Sequence, residues 1–231
     1  MLRIGPNTKA ADLIIAHPGA ILIFERLGLP LKLQDKTLEQ VAEQHELNPA
    51  LLINLLHLAL YRKPKDIGDL QPHDAMVIIE YLLRSHEYYR LEVAPRIAQL
   101  IQTLRAELDS NGMPLLEQFF EAYIQEVDDH FDYEDQTAFP YIQQLFNHPT
   151  HPQLSEYTIE HYTQHHSDLQ EKLDDLQELL IRYLPVPKTS STLRQLILAV
   201  TDFGNDMLNH TAIENEILVP LVQKEERKCT S

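Results

Sequence analysis

The sequence predicts an all-α protein: an antiparallel up-down-up-down four-helix bundle preceded by a small helical domain. Three observations predict it. Glycine is rare, 6 of 231 residues, while the helix formers Leu, Glu, Gln and Ala are frequent. No alternating apolar and polar run is flanked by a hairpin dipeptide. Beyond residue 72, four long helical stretches are separated by short breaks, and short breaks between long helices make antiparallel neighbours.

The elements follow in order. Residues 1–62 read as a small domain of short helices. Residues 9–17 form one, ended by Pro18-Gly19, and residues 20–27 another, ended by Gly28. Thr37-Leu38-Glu39-Gln40 has the capping-box pattern that starts a third. Asn48-Pro49 starts a fourth, with Asn as N-cap and Pro at the first helical position. Residues 63–72 are polar, carry two prolines and read as a linker. The bundle occupies 73–224, with helices over 73–108, 113–147, 153–184 and 190–224, and 225–231 is a tail. Asp109-Ser110-Asn111-Gly112, the segment 147–152 and Pro185-Val186-Pro187 mark the breaks.

Composition excludes several classes. Apolar residues make up 44%, enough for a packed core. A net charge of -16, from 35 acidic and 19 basic residues, repels phosphates and anionic lipid, so neither nucleic acid nor a membrane surface is expected as partner. No run of 18 apolar residues exists and the first residues lack a secretory pattern. The one cysteine, Cys229, cannot make an intrachain disulfide. A soluble cytoplasmic protein is expected.

The chemistry lies in the histidines. Of 12, only His130 and His210 have a glutamate four residues later, Glu134 and Glu214. At that spacing both side chains lie on one helix face. A single pair would be read as a hydrogen bond, but these two are offset by 80 residues, as are Pro140 and Pro220, and His86 and His166. Each hairpin therefore carries one His on its first helix and His-x-x-x-Glu on its second. The midpoints of successive histidines fall at 108, 148 and 188, in or beside the three breaks, which puts all four in one layer. His86 continues the series Ile79, Val93, Leu100; Glu134 continues Phe120, Val127, Tyr141; His210 continues Phe203, Ile217; Glu214 continues Val200, Met207, Leu221. These are core-facing seams, where ionisable groups need partners. A purely hydrogen-bonded polar layer is the competing reading. Four imidazoles with two carboxylates favour a metal pair: two ions, each with two His, and both Glu bridging. Imidazole with carboxylate suits iron, and manganese equally, with no thiolate to draw zinc.

The pattern resembles the hemerythrin-like (HHE) domain, and within it the di-iron family of iron–sulfur cluster repair, over most of the chain. Arg84-Ser85-His86-Glu87 with Arg90 and Pro95 is similar to that family's first ligand helix. Glu126, His130-Phe131-Asp132-Tyr133-Glu134-Asp135-Gln136 and Phe139-Pro140 resemble the second, His166-Ser167-Asp168 the third, and His210-Thr211-Ala212-Ile213-Glu214-Asn215 the fourth. The resemblance implies two iron ions with an oxo or hydroxo bridge, held by His86, His130, Glu134, His166, His210 and Glu214. It implies reactivity with nitric oxide, oxygen or peroxide, or exchange of iron with iron–sulfur client proteins. A reversible oxygen or nitric oxide module with a docking N-terminal domain is the alternative. Family members carry a Cys-Cys-Gly-Gly turn in the N-terminal domain; residues 28–34 here have none.

Other residues stay open. Glu126 lies one turn before His130 and reads as a partner of the centre or an exposed charge. His165 replaces His166 if the helix phase shifts by one. His161 reads as surface. Tyr88, Tyr89, Tyr123 and Tyr133 lie near the ligand layer, as packing residues or hydrogen-bond donors. The apolar clusters in 13–33 form a small core or, exposed, a docking or homodimer surface.

Overall fold

The computed structural model describes residues 4–108, 112–147, 157–164, 169–183 and 190–229. Among these the protein is all-α, as expected; the β-type pairing is the single bridge Lys9–Thr37. No helix of the described residues is long and apolar enough to cross a membrane. The chain divides into two compact units.

The first unit comprises Met1–Ser85, Phe139–Thr163 and Asn209–Ser231. Its N-terminal part holds α1 (Ala10–Ala16), a 3-10 turn (Pro18–Ala20), α2 (Ile21–Arg26), α3 (Leu38–Gln44) and α4 (Pro49–Tyr61). Both cap signals read from sequence are made. Gln40 N donates to Thr37 Oγ1 at 3.2 Å, and Thr37 N donates to Gln40 Oε1 at 3.0 Å. Asn48 Oδ1 accepts from Ala50 N at 2.9 Å. Gly28, at φ 68, ends α2 in the left-handed region, and a side chain there would also press on Arg84 Nη1.

The polar segment after α4 is tied down by buried Asn54. Its Oδ1 accepts from Lys65 N (2.8 Å) and Asp66 N (3.1 Å), while Nδ2 donates to Ala50 O and Asp66 O. Asn54→Ala leaves two backbone amides without that acceptor. It should lower stability by about 2–3 kcal/mol, read as a drop in the urea midpoint; an unchanged midpoint would mean that water replaces the amide at no cost.

α5 (Pro72–Tyr88) follows. In α8 (Phe139–Asn147), Tyr141 donates its hydroxyl to Glu226, which also accepts from Ile159 N at 2.9 Å. α9 (Ile159–Gln164) follows, and residues 153–156 of the expected helix lie outside the described residues. At its start Thr158 N donates to Nδ1 of the exposed His161 at 3.1 Å.

The second unit comprises His86–Ala138 and Gln164–Leu208. Its helical segments come from α5, α6 (Ala94–Glu107), α7 (Met113–Tyr133), α10 (Leu169–Glu178) and α11 (Ser191–Ile213). They enclose one core, with Ile97, Leu104, Leu116, Phe131, Leu173 and Val200 at its centre. At Gly204 an added Cβ would lie 2.7 Å from Leu173 Cδ2, so a side chain there would force the buried Leu173 to shift.

The long helices are not uniform. Wider π turns interrupt them at Tyr89–Val93, Glu134–Ala138, Leu179–Tyr183 and Glu214–Leu218, and α12 (Val219–Cys229) follows the last. Each π turn ends two residues before a proline in the sequence: Pro95, Pro140, Pro185 and Pro220. Proline has no amide to donate, and its ring crowds the carbonyl four residues back. That carbonyl belongs to residue 91, 136, 181 or 216, inside the turn in every case. At Pro95, Pro140 and Pro220 the helix continues beyond the proline, and the widened turn is how it passes without breaking.

Candidate metal centre

His86 lies in the last turn of α5, His130 in the last turn of α7, and Glu134 opens the π turn that follows. In the second unit these three side chains converge. Glu134 Oε2 lies 3.2 Å from His86 Nε2, and Glu134 Oε1 lies 3.2 Å from His130 Nε2. One carboxylate thus offers one oxygen to each of two imidazoles. In the first unit His210 Nε2 lies 3.0 Å from Glu214 Oε1, and Glu214 likewise opens a π turn. The side chains of Glu134, His210 and Glu214 are 0% exposed, and that of His86 is 2% exposed. His166, with its neighbour His165, lies outside the described residues.

Carboxylates are almost never buried this fully without a compensating partner. The N–O distances of 3.0–3.2 Å are longer than the roughly 2.7–2.9 Å of charge-assisted hydrogen bonds. They suit neighbouring donors on one cation, since bonds of about 2.0–2.2 Å at right angles put two donors about 3 Å apart. The donor atoms are imidazole nitrogen and carboxylate oxygen, without thiolate, a set that fits iron or manganese.

His86 is held on two further sides. Its ring stacks on Phe131, with centroids 3.9 Å apart and planes at 13°. Its Nδ1 lies 2.8 Å from Asp135 Oδ1. Asp135 Oδ2 accepts from Arg90 Nη1 at 3.3 Å. Arg90 also donates from Nε to Asp128 Oδ1 (3.0 Å) and from Nη2 to Asp132 Oδ1 (2.6 Å) and Asp128 O (3.1 Å). Burial works against the guanidinium charge, but the bonds to Asp128 and Asp132 win and hold its pKa above the ordinary value. Arg90 Cζ sits 5.6 Å from the centre of the Phe131 ring.

Sequence reasoning missed the roles of Phe131, Asp135 and Arg90. A signal was present: Asp128, Asp132 and Asp135 follow helical spacing on one side of the ligand helix, and Arg90 stands one turn after His86. Glu126 pairs with Lys172 at the surface, the two side chains being 39% and 46% exposed, so it is an exposed charge. Tyr89 and Tyr123 are buried packing residues against Phe203, and burial raises the Tyr123 pKa. A cavity of about 60 Å³ lies among Tyr89, Arg90, Val127, Asp128, Phe131 and Phe203.

Residues 77–223 match the family described as the Hemerythrin HHE cation binding domain. The chain is also similar to proteins named iron-sulfur cluster repair protein YtfE. That of Salmonella schwarzengrund (strain CVM19633) is 23% identical over 212 residues, covering 90% of this chain and 93% of the relative. Those of Edwardsiella ictaluri (strain 93-146) and Cronobacter sakazakii (strain ATCC BAA-894) are 25% and 26% identical over the same 212 residues, with the same coverage. Since the family match spans well over half of the sequence and falls on the helices that carry the buried His and Glu, this chain belongs to the hemerythrin HHE cation-binding family.

Proposed function

We propose that the chain is a non-haem di-iron protein of stress response and iron–sulfur cluster repair. The observation that carries this reading is Glu134, fully buried and facing His86 with one oxygen and His130 with the other. The repeat supplies the rest: His210 and Glu214 stand 80 residues beyond His130 and Glu134, and His166 stands 80 beyond His86. In this reading His86, His130, Glu134, His166, His210 and Glu214 hold a pair of iron ions, with both glutamates shared. Iron bound there would supply a redox-active Lewis acid to a small ligand such as nitric oxide, oxygen or peroxide.

The residues around the site favour small ligands. The cavity of about 60 Å³ has room for a diatomic molecule. Its lining joins the apolar Val127, Phe131 and Phe203 to the charged Arg90 and Asp128. The repair role is supported by the names of the relatives, and damaged iron–sulfur proteins would be the clients. Residues 28–34 contain no cysteine, so iron would pass to a client from the buried His and Glu themselves, without a thiol relay at that turn.

Protein reconstituted anaerobically with ferrous iron should carry about two ions per chain. Mixed with a nitric-oxide-damaged iron–sulfur dehydratase, it should restore that enzyme's activity. Uptake below roughly one equivalent would sink the metal pair. Full uptake with no restoration would sink the repair role alone.

A further inference from the structure

The hydrogen bonds behind His86 run in one direction. Arg90 donates from Nε to Asp128 Oδ1 (3.0 Å), from Nη2 to Asp132 Oδ1 (2.6 Å) and from Nη1 to Asp135 Oδ2 (3.3 Å). A guanidinium has donors and no acceptor. Asp135 turns its other oxygen to His86, where Oδ1 lies 2.8 Å from Nδ1. Resting on the metal reading above, we propose that Asp135 and Arg90 are positioning residues for His86. The Asp135 carboxylate receives the Nδ1 proton that a metal-bound His86 carries, and Arg90 decides which atom residue 135 can present to it.

His86 Nε2 faces Glu134 Oε2 at 3.2 Å, so Nε2 is the atom that would take the ion. An imidazole that binds through Nε2 keeps its proton on Nδ1. The His86 side chain is only 2% exposed, so that N–H needs an acceptor from the protein. Asp135 has one oxygen for each donor: Oδ2 for Arg90 and Oδ1 for His86. Phe131, stacked on the imidazole with centroids 3.9 Å apart, fixes the plane in which Nδ1 meets Asp135. A carboxylate there also makes the imidazole a stronger donor to the metal. An amide at position 135 would have a single oxygen. Arg90 can only donate, so it would claim that oxygen and leave the amide NH2 facing His86 Nδ1, donor against donor. The harm done by an amide at 135 therefore depends on what stands at 90.

Anaerobic titration with ferrous ion, in competition with a chromogenic chelator, tests this. Asp135→Asn should weaken binding by about 10–100-fold, the usual worth of such an outer partner. Arg90→Gln alone should weaken it less, because the Asp135 carboxylate loses a clamp but keeps both oxygens. In the Asp135→Asn background the same Arg90→Gln change should strengthen binding, by up to about tenfold. The glutamine oxygen can accept from the asparagine NH2, which turns the asparagine oxygen to His86. A reversal of sign between the two backgrounds is the signature of coupled sites. A merely structural role would weaken binding in both backgrounds, in step with the melting temperatures of the metal-free variants. If the double variant does not fold, Arg90→Met in the Asp135→Asn background carries the test, since it too removes the competing donors. Weakening of the same sign in both backgrounds, or unchanged binding in Asp135→Asn, overturns the positioning role alone. Uptake below about one ion per chain by the unmodified protein overturns the metal reading, and this role with it.

Discussion

Glu134→Ala is expected to weaken metal binding by more than about a hundredfold. Partners that only support a ligand are worth about 10–100-fold, and Glu134 faces two imidazoles directly, at 3.2 Å each. Glu126 is not available to take its place, because it pairs with Lys172 at the surface. The check is a thermal shift with added ferrous or manganous ion. A ligand at a hundred times its dissociation constant stabilises the folded state by about 2.7 kcal/mol, so the unmodified protein should melt several degrees higher with metal. In Glu134→Ala the shift should vanish, whereas Glu126→Ala should keep it whole. A variant at Glu134 that retained the full shift would remove this residue from the centre.

The second large effect belongs to Phe131. Its side chain is fully buried, at 0% exposure, and touches His86 on one face. Tyr89 stacks near it at 5.7 Å and the Arg90 guanidinium lies close by. Phe131→Ala should cost about 3–5 kcal/mol, the usual range for a buried Phe truncation, read as a fall in the urea midpoint of the metal-free protein. Phe131→Leu keeps much of the volume and should cost less than about half of that. Both lose the flat ring against His86, so both should also weaken metal uptake. The two variants together tell whether Phe131 serves the core alone: equal metal uptake in Phe131→Leu and the unmodified protein would mean that it does.

Much of this was legible in the sequence because it depends on short-range rules. Thr37, Gln40 and Asn48 make the caps their order predicts, since a cap needs only its own first turn. The inward direction of His86, Glu134, His210 and Glu214 followed from seven-residue seams, and all four are buried. The all-α class and the hemerythrin-like family follow from the same pattern. What stayed hidden depends on departures from the regular period or on contacts between helices. The π turns were invisible to a reading that assumes 3.6 residues per turn, although Pro95, Pro140 and Pro220 were noted as motif residues. The role of Asp135 stayed hidden because nothing in its own helix says that His86 faces it.

The prolines bear on how the protein breathes. Opening of an ordinary helix begins at its ends, where amides lack partners. Here residues 95, 140 and 220 have no amide at all, and the turns before them carry the looser π spacing. Amide hydrogen exchange should therefore show a minimum of protection inside the long helices, over 134–138 and 214–218, flanked by slower amides on both sides. Glu134 and Glu214 open those two stretches. A shielded carboxylate thus sits at the loosest joint of its own helix, and local opening there could expose it while the rest of the helix stays formed.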